Sequence, residues 1–162
     1  NMHFEVLMDV MESNGFEHYE ISNFGKPDFY SQHNTSYWLG KKYVGIGPSA
    51  HSFNGANREW NVASNMKYLN SIGKKIIPAE SELLSKWDRY NEYILTRLRT
   101  KWGIDLNQIK EQFGSTFQNN LNIGINPYVL SGHVEKVQQS FVLTRAGKFI
   151  ADKISSDLFM IA

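Results

Sequence analysis

The stretch MHFEVLMDVMESNGFEHYEIS, residues 2–22, decides the fold class that the sequence predicts. Four apolar residues recur with the spacing of one helix face: Phe4, Leu7, Met8 and Met11. Gly15 follows where a helix C-terminal glycine is expected, and residues 17–22 alternate in the manner of a β-strand. A helix, a glycine turn and a strand make up half of an α/β repeat. We therefore expect an α/β region that is part of a larger sheet protein.

The residues up to Gly73 predict loops, short strands and one helix. Residues 23–42 contain several chain breakers and predict a loop-rich segment. Residues 43–48, YVGIGP, predict a short buried strand that ends at a Gly-Pro break. Residues 50–61 are expected to form either a strand pair or a loop. A short helix that ends at Gly73 carries three apolar residues: Met66, Leu69 and Ile72.

A boundary between two regions is expected at residues 74–82, and beyond it the pattern of apolar residues becomes mainly helical. Ser85 and Asp88 have the spacing of a capping box at the start of a long helix. Further helix starts are expected at Asp105, at Ser115 and at Asn126, which Pro127 follows. Residues 134–143 are β-rich, and Thr144 is expected to cap one last helix. Helices followed by a short β ribbon and a helix suggest a small winged-helix-like domain.

Composition and charge exclude several classes of protein. The chain has 162 residues, with 17 Lys and Arg against 16 Asp and Glu, and it has no Cys. Disulfides, Cys-ligated zinc and Cys-bound iron–sulfur clusters are therefore excluded within this sequence. The first thirty residues show no basic-then-apolar pattern, and no apolar run approaches the ~18 residues of a membrane span. We expect a cytoplasmic protein, and Asn1 is expected to be a residue left by an expression tag.

The polar and aromatic stretch His33-Asn34-Thr35-Ser36-Tyr37-Trp38 is the most informative candidate site. In a helix, His33 and Tyr37 share a face, and a neutral imidazole is a good metal ligand. The rings of Tyr37 and Trp38 would offer a flat apolar surface to a macrocycle or a nucleobase. The alternative is that His33 and Asn34 bind a loop through hydrogen bonds while Tyr37 and Trp38 fill the core.

The second candidate segment runs from Gly45 through Gly47 and Pro48 to His51. Glycine lets a ligand approach the backbone closely, although a tight strand exit needs glycine as well. The histidines and Glu20 match no standard metal motif, so no metal site is expected. The candidate DNA-recognition segments of a winged-helix-like domain, residues 105–113 and 115–121, contain only one basic residue, Lys110, which argues against nucleic-acid binding. Arg97 and Lys101 share a helix face while Arg99 points elsewhere, and these basic residues are expected to be solvated.

Several stretches together resemble the C-terminal part of the oxygen-independent coproporphyrinogen-III-oxidase-like radical S-adenosylmethionine proteins, in the heme chaperone branch. The matching stretches are Gly15–Phe24, His33-Asn34-x-x-Tyr37-Trp38, Tyr43–Ser52, Arg89–Tyr93, and Leu143-Thr144-x-x-Gly147 followed by Ala151-Asp152. The resemblance implies that residues 1–78 are the C-terminal portion of a radical SAM barrel domain. It implies a helical, winged-helix-like C-terminal domain with a short β ribbon in residues 79–162.

The resemblance also implies cofactors and site residues. Heme binding is implied for His33, Asn34, Tyr37 and Trp38, with Asn34 placed to orient the imidazole. An S-adenosylmethionine-proximal position is implied for Gly45, Gly47, Pro48, Ala50 and His51. The family holds its 4Fe-4S cluster on a Cys-x-x-x-Cys-x-x-Cys motif near the N-terminus, and this chain has no Cys. We therefore expect a truncated chain that has no catalytic residue of its own and is inactive without those cysteines.

Two functions follow from the resemblance. A heme-handling protein would bind heme through His33 and pass it to an acceptor protein. An oxygen-independent coproporphyrinogen III oxidase would instead oxidise porphyrinogen propionates to vinyl groups in porphyrin biosynthesis. The His-Asn-x-x-Tyr-Trp stretch favours the first, and a winged-helix nucleic-acid binder is the third alternative. A strand edge that lacks a neighbour, at residues 17–22 or 43–47, would also allow a homodimer.

Overall fold

The computed structural model describes residues 2–161, which form two compact units. One unit comprises the described residues up to Leu39 and those from Tyr90 onward, and the other is Gly40–Arg89. Asn1, expected to be a tag residue, lies outside the described residues. Among residues 2–161, no helix is long and apolar enough to cross a membrane.

The first unit opens with the predicted helix, turn and strand. Helix α1 is Met2–Ser13, and strand β1, Glu17–Glu20, pairs antiparallel with β2, Asn23–Gly25. Gly15 has a φ of 76° at the turn, a conformation that glycine adopts at little cost. Met8 is fully buried whereas Leu7 is 44% exposed, so the predicted face of α1 is only partly covered. Helix α2, Gln32–Trp38, then ends this part of the unit.

The other edge of β1 is occupied. The N–H of Ile21 donates to the carbonyl of Arg99 at 3.0 Å, and the N–H of Lys101 donates to that of Tyr19 at 3.0 Å. Glu20 and Thr100 form an antiparallel bridge between these two hydrogen bonds. The expectation of an unpaired edge at residues 17–22 is therefore wrong, because the chain itself supplies the second neighbour.

The unit Gly40–Arg89 is built on a three-stranded antiparallel sheet. Its strands are β3, His51–Phe53, β4, Asn57–Asn61, and β5, Ala79–Leu83, in the order β3-β4-β5, with helix α3, Asn65–Gly73, between β4 and β5. The strand pair expected in residues 50–61 is confirmed. The prediction of a boundary between two regions at residues 74–82 is wrong, because Ala79–Leu83 pairs with β4 along its whole length.

The segment predicted as a short buried strand at residues 43–48 is not one. Tyr43 alone forms a bridge, with both of its backbone hydrogen bonds made to Phe53 at 2.9 Å. Val44 is 81% exposed and Ile46 is 88% exposed. An apolar run predicts burial only where other elements cover it, and in this unit nothing covers these two side chains.

The remainder of the chain is mainly helical. Helix α4, Lys86–Leu98, is followed by β6, Ile104–Asp105, α5, Leu106–Phe113, and α6, Ser115–Leu130. The hairpin of β7, Val134–Val137, and β8, Ser140–Leu143, joins β6 in the order β6-β8-β7. Helices α7, Arg145–Lys148, and α8, Ala151–Asp157, end the described chain.

The core of the first unit lies among these helices. Its fully or almost fully buried side chains are Tyr90, Ile94, Leu98, Ile104, Ile109, Phe113, Phe117, Leu121, Ile125 and Ile154. Burial of each such side chain stabilises the fold by about 1.5–3 kcal/mol. The helical spacing of these residues is that of one buried face on each helix, as the sequence predicts for α4, α5 and the start of α6.

One predicted helix start and the continuity of the last predicted helix are corrected. Pro127 lies inside α6, so the predicted N-cap at Asn126 is wrong. Burial of Leu121 and Ile125 keeps the helix in register up to the proline, which removes only one backbone donor. Thr144 is confirmed as a cap, but the last helix is interrupted at Ile150, whose φ of −126° separates α7 from α8. The fold class is mixed α/β, as expected.

Candidate functional site

The predicted heme-binding residues lie together on helix α2, which begins at a side-chain cap. Ser31 Oγ accepts a hydrogen bond from the N–H of Asn34 at 3.3 Å, so serine begins the helix in the usual way. No residue of α2 is buried, and His33 and Tyr37 are both exposed. Their spacing of four residues places them on the same helix face. The alternative that Tyr37 fills the core is wrong, because its side chain is 50% exposed.

The His33 imidazole has no polar partner among the residues that the structure describes. Within residues 2–161 its ring forms no hydrogen bond or ion pair, and neither does the side-chain amide of Asn34. The orienting role expected for Asn34 therefore stays a prediction. An exposed imidazole without a partner keeps a nitrogen lone pair available for an incoming metal ion.

Trp38 is placed differently from the other three residues. Its indole is partly buried, and it meets the Tyr37 ring edge-on at 5.3 Å between centroids. The guanidinium of Arg99 lies over the Trp38 ring at 5.1 Å from its centroid, within the range of a cation–π contact. Trp38 therefore joins α2 to the segment that follows α4.

Arg99 is held in place by Glu20, whose side chain is fully buried. Glu20 Oε1 accepts from Arg99 Nε at 3.0 Å, and Oε2 accepts from the N–H of Ser22 at 3.0 Å and from the amide of Asn23. The prediction that the Arg99 side chain is solvated is wrong, since this side chain is only 21% exposed. The sequence offered one signal, a charged residue at the end of a strand with alternating polarity, but it did not identify the partner.

The segment predicted to lie near S-adenosylmethionine, from Gly45 to His51, is in the other unit, Gly40–Arg89. The N–H of Gly45 donates to Ser52 Oγ at 2.9 Å, and that of Gly47 donates to the Tyr68 hydroxyl at 3.2 Å. Asn61 Nδ2 donates to the carbonyls of both glycines, at 3.3 Å and 2.9 Å. Side chains of the same unit therefore hold this stretch of backbone in place.

Glycine at position 45 is needed for contact within the chain. A Cβ there would overlap the backbone of His51, with its nitrogen at 2.8 Å, which supports the interpretation as a tight turn. Gly47 has a φ of 106°, which also favours glycine. Pro48 and Ala50 are partly buried, and the His51 side chain is exposed. The cofactor role of this segment stays a prediction.

The buried imidazole of His18, on β1, lies beside the partly buried ammonium of Lys148 in the first unit. His18 stacks on Phe24 at 4.1 Å, its Nε2 donates to the Ile21 carbonyl at 2.8 Å, and its Nδ1 accepts from Lys148 Nζ at 3.0 Å. Burial, together with the nearby Lys148 ammonium, lowers the pKa of His18, and burial also lowers the pKa of Lys148. Within residues 2–161, no group of three or more His, Asp or Glu side chains could hold a metal ion.

The lowered pKa of His18 predicts a loss of stability in mild acid. As the pH falls below the ordinary imidazole pKa of 6.5, the unfolded chain takes up a proton before the folded chain does. The stabilisation is therefore complete above that pH and decreases below it, by at most about 1.4 kcal/mol per pH unit. Urea denaturation between about pH 5.5 and 7.5 should give a flatter pH dependence for His18→Gln. His3→Gln, which changes an exposed histidine of α1, is the control, and an equal slope in all three proteins would contradict the assignment.

The comparisons with known proteins first give a class of protein. Residues 84–150 match the family model described as the HemN C-terminal domain. The fold matches that of coproporphyrinogen III oxidase (HemN) from Escherichia coli, described as a radical SAM enzyme, with a TM-score of 0.68 and 16% identity. That match covers 96% of this chain and 40% of the oxidase chain. The chain thus has the fold of the C-terminal region of this class.

Curated relatives give a more particular match. The chain is 29% identical to the heme chaperone HemW of Bacillus subtilis (strain 168), over 93% of this chain and 40% of that protein. It is 35% identical to the heme chaperone HemW of Lactococcus lactis subsp. lactis (strain IL1403), over 71% of this chain and 30% of that protein. The resemblance to the coproporphyrinogen-III-oxidase-like radical SAM proteins, in the heme chaperone branch, is confirmed. The chain spans well under half the length of these relatives.

Proposed function

We propose that this chain is the C-terminal part of a radical SAM protein that binds heme and transfers it to an acceptor protein. The observation that carries the proposal is helix α2, which exposes the unpartnered imidazole of His33 in a chain related to heme chaperones. Imidazole is a common axial ligand of heme iron. The acceptor is a protein of unknown identity, and we propose a cytoplasmic location.

The residues of α2 fit this role in different ways. His33 would ligate the iron, and the half-exposed ring of Tyr37 on the same face would cover part of the macrocycle. Trp38 would contribute apolar surface from its partly buried position, and Asn34 would flank the ligand. Bound heme would supply an iron centre that accepts the imidazole nitrogen.

The other cofactors need residues beyond this sequence. The chain has no Cys, so the thiolates of a 4Fe-4S cluster must come from elsewhere in a longer protein. In that protein we place residues 1–78 in the radical SAM barrel, with Gly45, Gly47, Pro48, Ala50 and His51 near S-adenosylmethionine. We propose a C-terminal domain in residues 79–162 apart from β5, which pairs with β4, and helices α4, α5 and α6 with the β6-β8-β7 sheet support a winged-helix-like arrangement. The strand edge on which a homodimer through residues 43–47 was expected does not form, because only Tyr43 makes a bridge there, to Phe53.

Coproporphyrinogen III oxidase activity is the alternative function. It is favoured by the fold likeness to the Escherichia coli enzyme, which at 16% identity concerns the fold alone. The curated relatives named above, with identities of 29% and 35%, carry the name heme chaperone. The heme-handling function is therefore the better supported of the two.

The proposal is tested by titrating the purified chain with hemin and recording the Soret band. We expect the His33→Ala variant to lose the band of the bound state or to weaken hemin binding by about tenfold or more. Its thermal unfolding should be unchanged, because an exposed side chain without partners contributes little to stability. His3→Ala, which removes an exposed histidine from α1, should bind hemin as the wild type does.

Three outcomes would contradict the proposal. A wild-type chain that leaves the spectrum of free hemin unchanged would remove the binding function from this part of the protein. A His33→Ala variant that binds hemin with the same spectrum and affinity as the wild type would remove His33 as the ligand. A thermal unfolding temperature that is lowered only in His33→Ala would show that His33 stabilises the fold of residues 23–42 instead of ligating the iron.

A further inference from the structure

We propose that Arg99 is a positioning residue for helix α2 and that it acts through Trp38. The inference rests on the proposed function, since it concerns the same ligand-binding helix. Arg99 lies outside the His-Asn-x-x-Tyr-Trp stretch and outside the other stretches that carry the resemblance. It nevertheless contacts side chains from three of them: Glu20, Trp38 and Asp152.

Helix α2 has few other restraints. It has no buried residue, and its cap comes from Ser31, a residue adjacent to the helix itself. The Trp38 Nε1 is buried but has no hydrogen-bond partner within residues 2–161, so no hydrogen bond fixes the indole. The Arg99 guanidinium, 5.1 Å from the ring centroid, is therefore a polar contact that holds the indole and, through it, the C-terminal turn of α2.

Arg99 can serve this purpose because its own position is determined from two sides. Glu20 is buried and holds Nε at 3.0 Å, while Asp152, whose side chain is 85% exposed, lies 3.4 Å from Nη1. The backbone of Arg99 is also fixed, since its carbonyl accepts from the N–H of Ile21. A planar guanidinium can pair with a carboxylate along its edge and stack on an aromatic ring with its face, which the ammonium of lysine cannot do.

The test compares Arg99→Lys with Arg97→Lys. Arg97 is a matched control because its guanidinium also stacks on an aromatic ring, that of Tyr93, at 5.2 Å. Both variants keep the positive charge, so the fold is retained. NMR spectra of the ¹⁵N-labelled chain contain one indole N–H signal for each of the four tryptophans, and each signal reports on the environment of its ring. The Trp38 signal is assigned as the one that is missing in Trp38→Phe. Hemin titration reports on the ligand.

We expect Arg99→Lys to move the Trp38 indole signal and to weaken hemin binding by about fivefold, while Arg97→Lys does neither. The thermal unfolding temperature of Arg99→Lys should fall by no more than about 4 °C. An unmoved Trp38 signal overturns the inference. So does a moved signal with unchanged hemin affinity, because the ring would then be placed without effect on the ligand. Absence of hemin binding by the wild type overturns the proposed function separately, and the Trp38 signal still decides whether Arg99 positions the ring.

Discussion

Replacing Glu20 by alanine is expected to lower the free energy of unfolding by about 3 kcal/mol. The Glu20 side chain is fully buried, and its two oxygens accept from Arg99, from the N–H of Ser22 and from the amide of Asn23. Alanine leaves these donors without their acceptor and strands a guanidinium that is only 21% exposed. Removal of one partner of a buried ion pair costs more than the pair itself contributes, because an uncompensated charge remains.

Glu17 provides the matched control on the same strand. Its side chain is 41% exposed and pairs with Lys101, and exposed ion pairs contribute little to stability. Urea denaturation followed by circular dichroism should therefore show a small change for Glu17→Ala and a large one for Glu20→Ala. Glu20→Gln keeps one oxygen acceptor and should fall between the wild type and the alanine variant. Equal losses for Glu17→Ala and Glu20→Ala would contradict this account of the buried carboxylate.

Replacing Gly147 by alanine is expected to cost about 3 kcal/mol through backbone overlap. Gly147 is buried in the first turn of α7, where a Cβ would overlap the carbonyl of His133, with its carbon at 2.9 Å. Neither side of this contact can move easily. The N–H of Gly147 donates to Thr144 Oγ1 at 3.1 Å, and the N–H of Thr144 donates to the His133 carbonyl at 3.0 Å. The Leu143-Thr144-x-x-Gly147 stretch thus has a steric explanation.

Gly124→Ala is the corresponding control in α6. A Cβ at Gly124 would meet only the end of the Leu158 side chain, at 3.0 Å, and a flexible side chain can move by a few tenths of an ångström. Alanine is also favoured over glycine inside a helix by about 1 kcal/mol. Thermal unfolding should therefore show a large decrease for Gly147→Ala and little change for Gly124→Ala. A Gly147→Ala variant as stable as the wild type would show that the turn relaxes.

The sequence predicted the features that depend on neighbours a few residues away. The capping box at Ser85 and Asp88 forms as expected, with backbone N–H groups bound at 2.9 Å and 3.1 Å. Asp105 and Thr144 cap α5 and α7. The helical form of α2 brings His33 and Tyr37 to one face. These features need only the chain within about one helical turn, which periodicity and capping residues describe directly.

The tertiary structure decided which charged and apolar side chains are covered. Glu20 and Arg99 are 79 residues apart, and their pairing follows from the register of β1 against the segment after α4. Strand β5 carries an exposed, acidic sequence with little strand pattern, and it forms because β4 offers a free edge. Val44 and Ile46 have the apolar side chains of a buried strand and yet are exposed. Burial and pairing of this kind depend on which elements distant in sequence pack together, and the local pattern of side chains does not specify these contacts.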